Sequence, residues 1–275
     1  MSEGRKKMAK LSEMKFERYI VVLWGPPKVG KTVLASQFPQ PFFIDLDDGL
    51  KSVKSLRAKY DLDFDFDVIQ IDEGPTEDED FVQICGKAFI KQSAWLKVKK
   101  LVERLALRMP KDSTLILDNT SRASEFLLDY VRRKVGREQL QIQDWGVFLN
   151  EMLSLILTLK SKGAKCNVII IGHEYTSKDE VTGEFVRQLL VPGQSKDRIP
   201  SMVNEYLRLE TRVSGTRNKP KVTRVLRSIP DPRTATGSQA LLPDIENPTY
   251  EKMKPYLEAS LGRELPEPTW TPPEA

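Results

Sequence analysis

Residues 22–33, VLWGPPKVGKTV, run from an apolar segment through two prolines, two glycines and two lysines into a helical pattern. They match G-x-x-x-x-G-K-[ST] at Gly25, Gly30, Lys31 and Thr32. The match falls between a strand and a helix, where a phosphate cradle requires it. Glycines let backbone N–H groups approach phosphate oxygens, and the helix start adds its positive dipole end. The stretch Gly25, Pro26, Pro27, Lys28, Val29, Gly30, Lys31, Thr32 and Val33 is therefore the expected nucleotide-binding loop. Lys31 would reach the β- and γ-phosphates, and the Thr32 hydroxyl would hold Mg²⁺.

Outward from this loop, apolar runs alternate with helical patterns. YIVVLW, PFFID, FDVIQID, TLILD and NVIIIGH read as buried strands. Helical patterns over 93–108, 122–135 and 143–162 separate the later ones, which predicts a mainly parallel sheet covered on both faces. After His173 the pattern changes. EFVRQLLV, EYLRLETRV and KVTRVLRS read as strands, SGTRNKP as a hairpin turn, and TYEKMKPYLEASLG as a last helix closed by Gly262. Pro255 is expected in its first turn or at a kink. The fold class expected is α/β, a parallel core with an antiparallel C-terminal extension. Residues 1–17 read as a polar arm, 18–262 as the folded domain, and 263–275 as a tail too Pro-rich to pack as a regular element.

With 275 residues, 40% hydrophobic and 30% charged, the chain can bury one substantial core. No apolar run approaches the roughly 18 residues of a membrane helix, and no membrane partner is expected. The charged N-terminus lacks the apolar region of a secretory signal, and Cys85 and Cys166 form no metal-ligand spacing, so a reducing, cytoplasmic location is expected. Charge is unevenly placed. Residues 61–80 hold ten carboxylates and no Lys or Arg, while residues 211–230 hold six cations and no carboxylate. Such polarity attracts a polyanion or another copy of the chain, or else marks two solvated surfaces.

Three further positions complete the expected site. Asp118 ends TLILD, where an apolar strand delivers one acid at its carboxyl end, suited to holding Mg²⁺ or to capping the next helix. Asn119, Thr120 and Ser121 are further cap candidates. FFIDLDDG ends in Asp45, Asp47 and Asp48, of which Asp47 is favoured to activate water and Asp45 to be structural. His173, the only histidine, ends its strand where it could touch a γ-phosphate, unless it is simply structural.

GPPKVGKT, FIDLDDG, LILDNTS and IIIGHE, in this order and spacing, resemble the RecA-like P-loop ATPases. With RQLLVPGQSKDRIPSMVNEYLRLE, the chain is most similar to the short phage and prophage AAA-type ATPases related to single-strand-annealing recombinases. The resemblance covers roughly residues 18–245. It implies an ATP- and Mg²⁺-dependent enzyme acting on single-stranded DNA as a homo-oligomeric ring or filament, in the host cytoplasm if phage-encoded, with a single-strand-binding protein as a possible partner. It makes residues 25–32 the Walker A loop, Asp118 the Walker B acid and His173 the sensor. Asp47 stands where a catalytic Glu is usual. Such enzymes complete each site with a neighbour's cation, for which Lys196 and Arg198 are the candidates, the alternative being plain loop charges.

DNA contacts are expected from Arg132, Arg133, Lys134 and Arg137, read as a basic loop containing Trp145, and from Arg217, Lys219 and Lys221. Trp145 would stack on bases or pack in the core. Alternatives to a recombination ATPase are a helicase-type motor or loader, and a nucleotide-dependent protein-binding switch.

Overall fold

The computed structural model describes residue 10 and residues 16–273, apart from 162, 179, 181, 217 and 218. Strands are β1 (Ile20–Gly25), β2 (Pro41–Asp45), β3 (Asp67–Gln70), β4 (Thr114–Asp118), β5 (Asn167–Lys178), β6 (Phe185–Leu189), β7 (Glu205–Thr216), β8 (Lys219–Arg227), β9 (Gly237–Ser238) and β10 (Ile245–Glu246). Helices are α1 (Lys31–Ala35), α2 (Lys51–Tyr60), α3 (Glu79–Cys85), α4 (Ala94–Arg108), α5 (Thr120–Val135), α6 (Ile142–Lys160), α7 (Ser195–Arg198) and α8 (Tyr250–Leu261).

The sheet order is β10-β8-β7-β1-β5-β4-β2-β3, with β6 beside β5 and β9 beside β7. From β7 to β3 all pairs are parallel, and β8, β10, β6 and β9 join antiparallel. This is the α/β class expected, with its antiparallel extension.

Strand alternation sends side chains to two cores. Ile20, Val22 and Trp24 face one with Val168, Ile170 and helices α3 to α6. Val21 and Leu23 face the other with Ile169, Ile171, α1 and α8. Strands buried on both faces are what parallel pairing demands, since helices cover each side.

Several boundaries differ from the sequence reading. β5 does not stop at His173. It leaves its parallel pairing with β1 there and continues antiparallel to β6 from Glu174. Pro255 lies past the first turn of α8, on its exposed side. The tail 263–273 forms no helix or strand, yet Leu265 and Trp270 are buried. Trp270 stacks on Phe64, ring centres 4.9 Å apart at 11°, and its Nε1 donates to Ser36 Oγ at 3.1 Å. The N-terminal arm lies almost wholly outside the described residues. Among the described residues, no helix is long and apolar enough to cross a membrane.

Candidate nucleotide site

Sheet register gathers the expected site from separate parts of the chain. Gly25 pairs with His173, Ile171 with Asp118, and Asp118 with Asp45, so four strands present their carboxyl ends side by side. In open α/β sheets this edge is where ligands bind. A cavity of about 550 Å³ opens there, lined by Lys31, Thr32, Asp47, Asp118, His173 and, unexpectedly, Arg224.

The loop's first glycine has a steric reason beyond phosphate binding. A Cβ on Gly25 (φ 148) would lie 2.1 Å from the Leu209 carbonyl oxygen of β7, so any side chain would push the strands apart. Lys31 Nζ donates to the carbonyl oxygens of Gly25 and Pro26 at 3.0 and 2.7 Å. Burial lowers its pKa to about 8, a shift opposed by Asp118, Asp47 and Glu174. An ammonium held by two carbonyls in a partly desolvated cleft is primed for an anion, which would restore its charged form.

Thr32 Oγ1 donates to Asp118 Oδ2 at 2.7 Å. Burial raises the Asp118 carboxyl to about 7, opposed by this hydrogen bond. Gly49 keeps the space in front of the pair open, because a Cβ there would lie 3.0 Å from Asp118 Oδ2 and 3.4 Å from Thr32 Oγ1. A buried carboxylate beside a hydroxyl, facing free space, fits a divalent cation. Among the described residues no three His, Cys, Asp or Glu side chains cluster around a metal position. Phosphate oxygens and water would therefore complete the shell, which is how Mg²⁺ is usually held.

Asp47 Oδ2 accepts from Asn119 Nδ2 at 2.9 Å and lies 3.7 Å from His173 Nε2. The adjacent imidazole holds the Asp47 carboxyl below the usual carboxylate range, with the Asn119 amide adding to the effect against burial. Asp45 instead turns inward: it accepts from the backbone N–H groups of Asp47 and Gly49 and from Gln70 Nε2. Asn119 has two tasks, since its Oδ1 also caps α5 by accepting from Ser121 N.

The remaining expected residues lie elsewhere. Lys196 and Arg198 belong to the short helix α7 rather than an open loop, and Lys196 lines a different cavity, of about 600 Å³, with Tyr175 and Leu190. Arg132, Arg133 and Lys134 form the last turn of α5, not a loop, because the helix runs to Val135 and ends at Gly136 in the left-handed conformation. Arg132 pairs with Asp129, Arg137 approaches Asp144 at 3.6 Å, and Lys134 sits over the Tyr130 ring. Trp145 is 38% exposed and lies against the buried Phe148, so it packs in part on the core and keeps one side open. Lys221 is exposed on β8. Arg217 lies outside the described residues, as does the side chain of Lys219.

Arg224 is the site residue the sequence did not single out. It was visible only as one of six cations in a basic run, and no local spacing links it to a loop 195 residues earlier.

A parallel sheet that ends in a glycine-rich loop, a buried lysine and a threonine–aspartate pair defines a P-loop nucleotide-binding domain. The chain belongs to the family described as an AAA domain, which matches residues 17–239, and its core is that of a P-loop ATPase. No curated protein matches it. Solved structures similar to it include a prototypical ATPase from the type III secretion system of pathogenic bacteria, with 14% identity, a TM-score of 0.41, and coverage of 70% of this chain and 51% of that one. Another is the RadB recombinase, with 13% identity, a TM-score of 0.36, and coverage of 76% and 79%. The chain thus spans about half the length of the first.

Proposed function

We propose that this chain is a Mg²⁺-dependent RecA-like ATPase that acts on single-stranded DNA in recombination or annealing of the phage type. The observation that carries the ATPase reading is the Thr32–Asp118 hydrogen bond beside buried Lys31, at the mouth of one open cavity. Lys31 exchanges the Gly25 and Pro26 carbonyls for the β- and γ-phosphates. Thr32 and Asp118 would hold the magnesium ion, which when bound would supply charge neutralisation at the phosphates. Asp47, oriented by Asn119 and His173, positions the attacking water. Its lowered pKa makes it a weak base, so its contribution is orientation more than proton removal.

The DNA reading rests on the exposed hairpin of β7 and β8. β7 runs on from Leu209, opposite the end of β1, to Thr216, and residues 211–216 are all exposed. At about 3.3 Å per residue this arm extends roughly 20 Å beyond the paired part of β1. The arm carries the exposed Lys221, and Arg217 and Lys219 belong to the same basic run of sequence. Lys196 and Arg198, away from their own subunit's cavity, serve a neighbour's site in a homo-oligomer. A single-strand-binding protein is a further partner of this reading. The exposed pair Val213 and Val222, 70% and 62% exposed, favours as second reading a nucleotide-dependent switch that docks a protein.

Single-stranded DNA titrated at several salt concentrations, with a non-hydrolysable ATP analogue present, separates the two. Replacing Arg217, Lys219 and Lys221 by Ala lowers the slope of log affinity against log salt by about 2 if all three meet phosphates. Failure of the wild-type protein to bind DNA at low salt, or an unchanged slope, refutes the DNA assignment. Unwinding and annealing assays then divide a helicase-type motor from an annealing ATPase.

A further inference from the structure

We infer that Arg224 is a nucleotide-contacting cation supplied in cis by β8, and that through it nucleotide occupancy fixes the position of the exposed β7–β8 hairpin. This rests on the nucleotide-site reading above and adds to it a residue and an output element.

The placement follows from the sheet. β8 lies two strands from β1, and alternation puts Arg224 on the same face as Leu226, which is fully buried in the core containing Val29 and Leu34. Arg224 therefore rises over the phosphate loop. Its Nε donates to the Val29 carbonyl at 3.0 Å, and it lies 3.2 Å from where a Cβ on Gly30 would stand. Its guanidinium lines the same cavity as Lys31, Thr32 and Asp118.

Charge pairing distinguishes it from its neighbours. Arg208 is held by Glu174 and Glu210, Arg212 by Glu210, and Arg227 by Asp244 at 2.6 Å. The terminal nitrogens of Arg224 have no hydrogen bond or ion pair among the described residues. A guanidinium anchored by Nε, with both terminal NH2 groups free beside the cavity that Lys31 and Thr32 line, suits bidentate capture of phosphate. The same residue is backbone-paired with Thr211 at the base of the free arm, and Val213 and Val222 continue the stripe outward on that face. Binding at one end thus restrains the other.

The test uses the full chain with Val222→Cys carrying an environment-sensitive fluorophore. The natural thiols Cys85 and Cys166 are buried, so labelling is directed to the arm. A second protein labelled at Phe185→Cys, exposed on β6, reports on unrelated motion. Fluorescent ADP and ATP analogues measure affinity separately. Arg224→Ala is expected to weaken both nucleotides by about tenfold or more, as loss of a charged hydrogen-bonding group does, with Arg224→Lys recovering part of it. ATP should change the signal at position 222 but not at 185, and at saturating ATP Arg224→Ala should abolish that change. Wild-type affinity in Arg224→Ala, or an undiminished signal at 222 in that variant, would overturn the inference while leaving the nucleotide site standing. No nucleotide binding by wild type and Lys31→Ala alike would overturn the site reading itself, and the inference with it.

Discussion

Replacing Trp270 by Ala tests whether a tail without regular structure holds the phosphate-loop helix in place. Trp270 is 6% exposed, lies against Phe64 and Val53, and donates its indole N–H to Ser36, the residue that ends α1. The preceding Thr269 bonds the same helix end, through its N–H to the Gln37 carbonyl and its hydroxyl to the Phe38 carbonyl. A buried tryptophan removes about 200 Å² from water, which at about 25 cal/mol per Å² is roughly 5 kcal/mol as an upper bound. Compactness of the unfolded chain and local release of the tail reduce this, so about 3 kcal/mol is expected, at the lower end for Trp→Ala in cores. Ser36 is not orphaned by the change, because its hydroxyl also donates to Val33 O.

For a chain of this size that loss lowers the melting temperature by about 6 °C, at roughly 2 °C per kcal/mol. Differential scanning fluorimetry and urea titration on the nucleotide-free protein measure it. Trp145→Ala, at a site 38% exposed, is the control, and the same bookkeeping on its smaller buried area gives about 2 kcal/mol or less. A shift under about 1 °C for Trp270→Ala, or equal shifts for the two variants, would refute a structural tail.

Three other outcomes are expected. Asp118→Asn should abolish the magnesium dependence of nucleotide affinity, whereas Asp47→Asn should leave affinity unchanged and lower turnover by at least about tenfold; equal loss of binding in both would defeat this division. Glu205 is 1% exposed and burial raises its pKa above 4.5, opposed by hydrogen bonds that include the Ala240 N–H. The native state then keeps a proton the unfolded chain has released, so stability falls as pH rises from 4.5 through the folded-state value. Glu205→Gln should remove that part of the slope in urea midpoints, and parallel pH profiles for the two proteins would count against it. Finally, Lys196→Ala or Arg198→Ala subunits should bind ATP but hydrolyse it slowly, and mixing them with Lys31→Ala subunits should restore activity. No recovery in demonstrated mixed oligomers would exclude a cation acting in trans from α7.

Much of the site was legible because parallel strands deliver their polar residues at one edge. Once TLILD, PFFID and NVIIIGH are read as parallel strands, Asp118, Asp45 and His173 must lie at the same sheet edge as the phosphate loop, whatever the order of strands. Arg224 was not legible for the complementary reason. Its place depends on β7 and β8 adding to the β1 side of the sheet, and strand order is not encoded in spacing. The continuation of β5 past His173 was hidden as well, since nothing local marks where a strand changes partner. Trp270 escaped because a Pro-rich tail has no periodicity, while a stack of two rings needs none.

Two of these, Arg224 and Trp270, converge on α1. A helix of five residues has too few internal hydrogen bonds to hold its own shape, so the motif that begins it cannot alone keep it rigid. The residues that lead into it, Val29 and Gly30, lie under Arg224. The residues that close it, Ser36 to Phe38, are gripped by Thr269, Trp270 and the Tyr250 N–H, which donates to Gln37 Oε1. Segments near residues 224, 250 and 270 thus fix an element that begins at residue 31. A phosphate site must be rigid before its ligand arrives if binding is not to cost the ordering of the loop. The local sequence therefore states which chemistry occurs at α1, and the C-terminal segments supply the stiffness that chemistry requires.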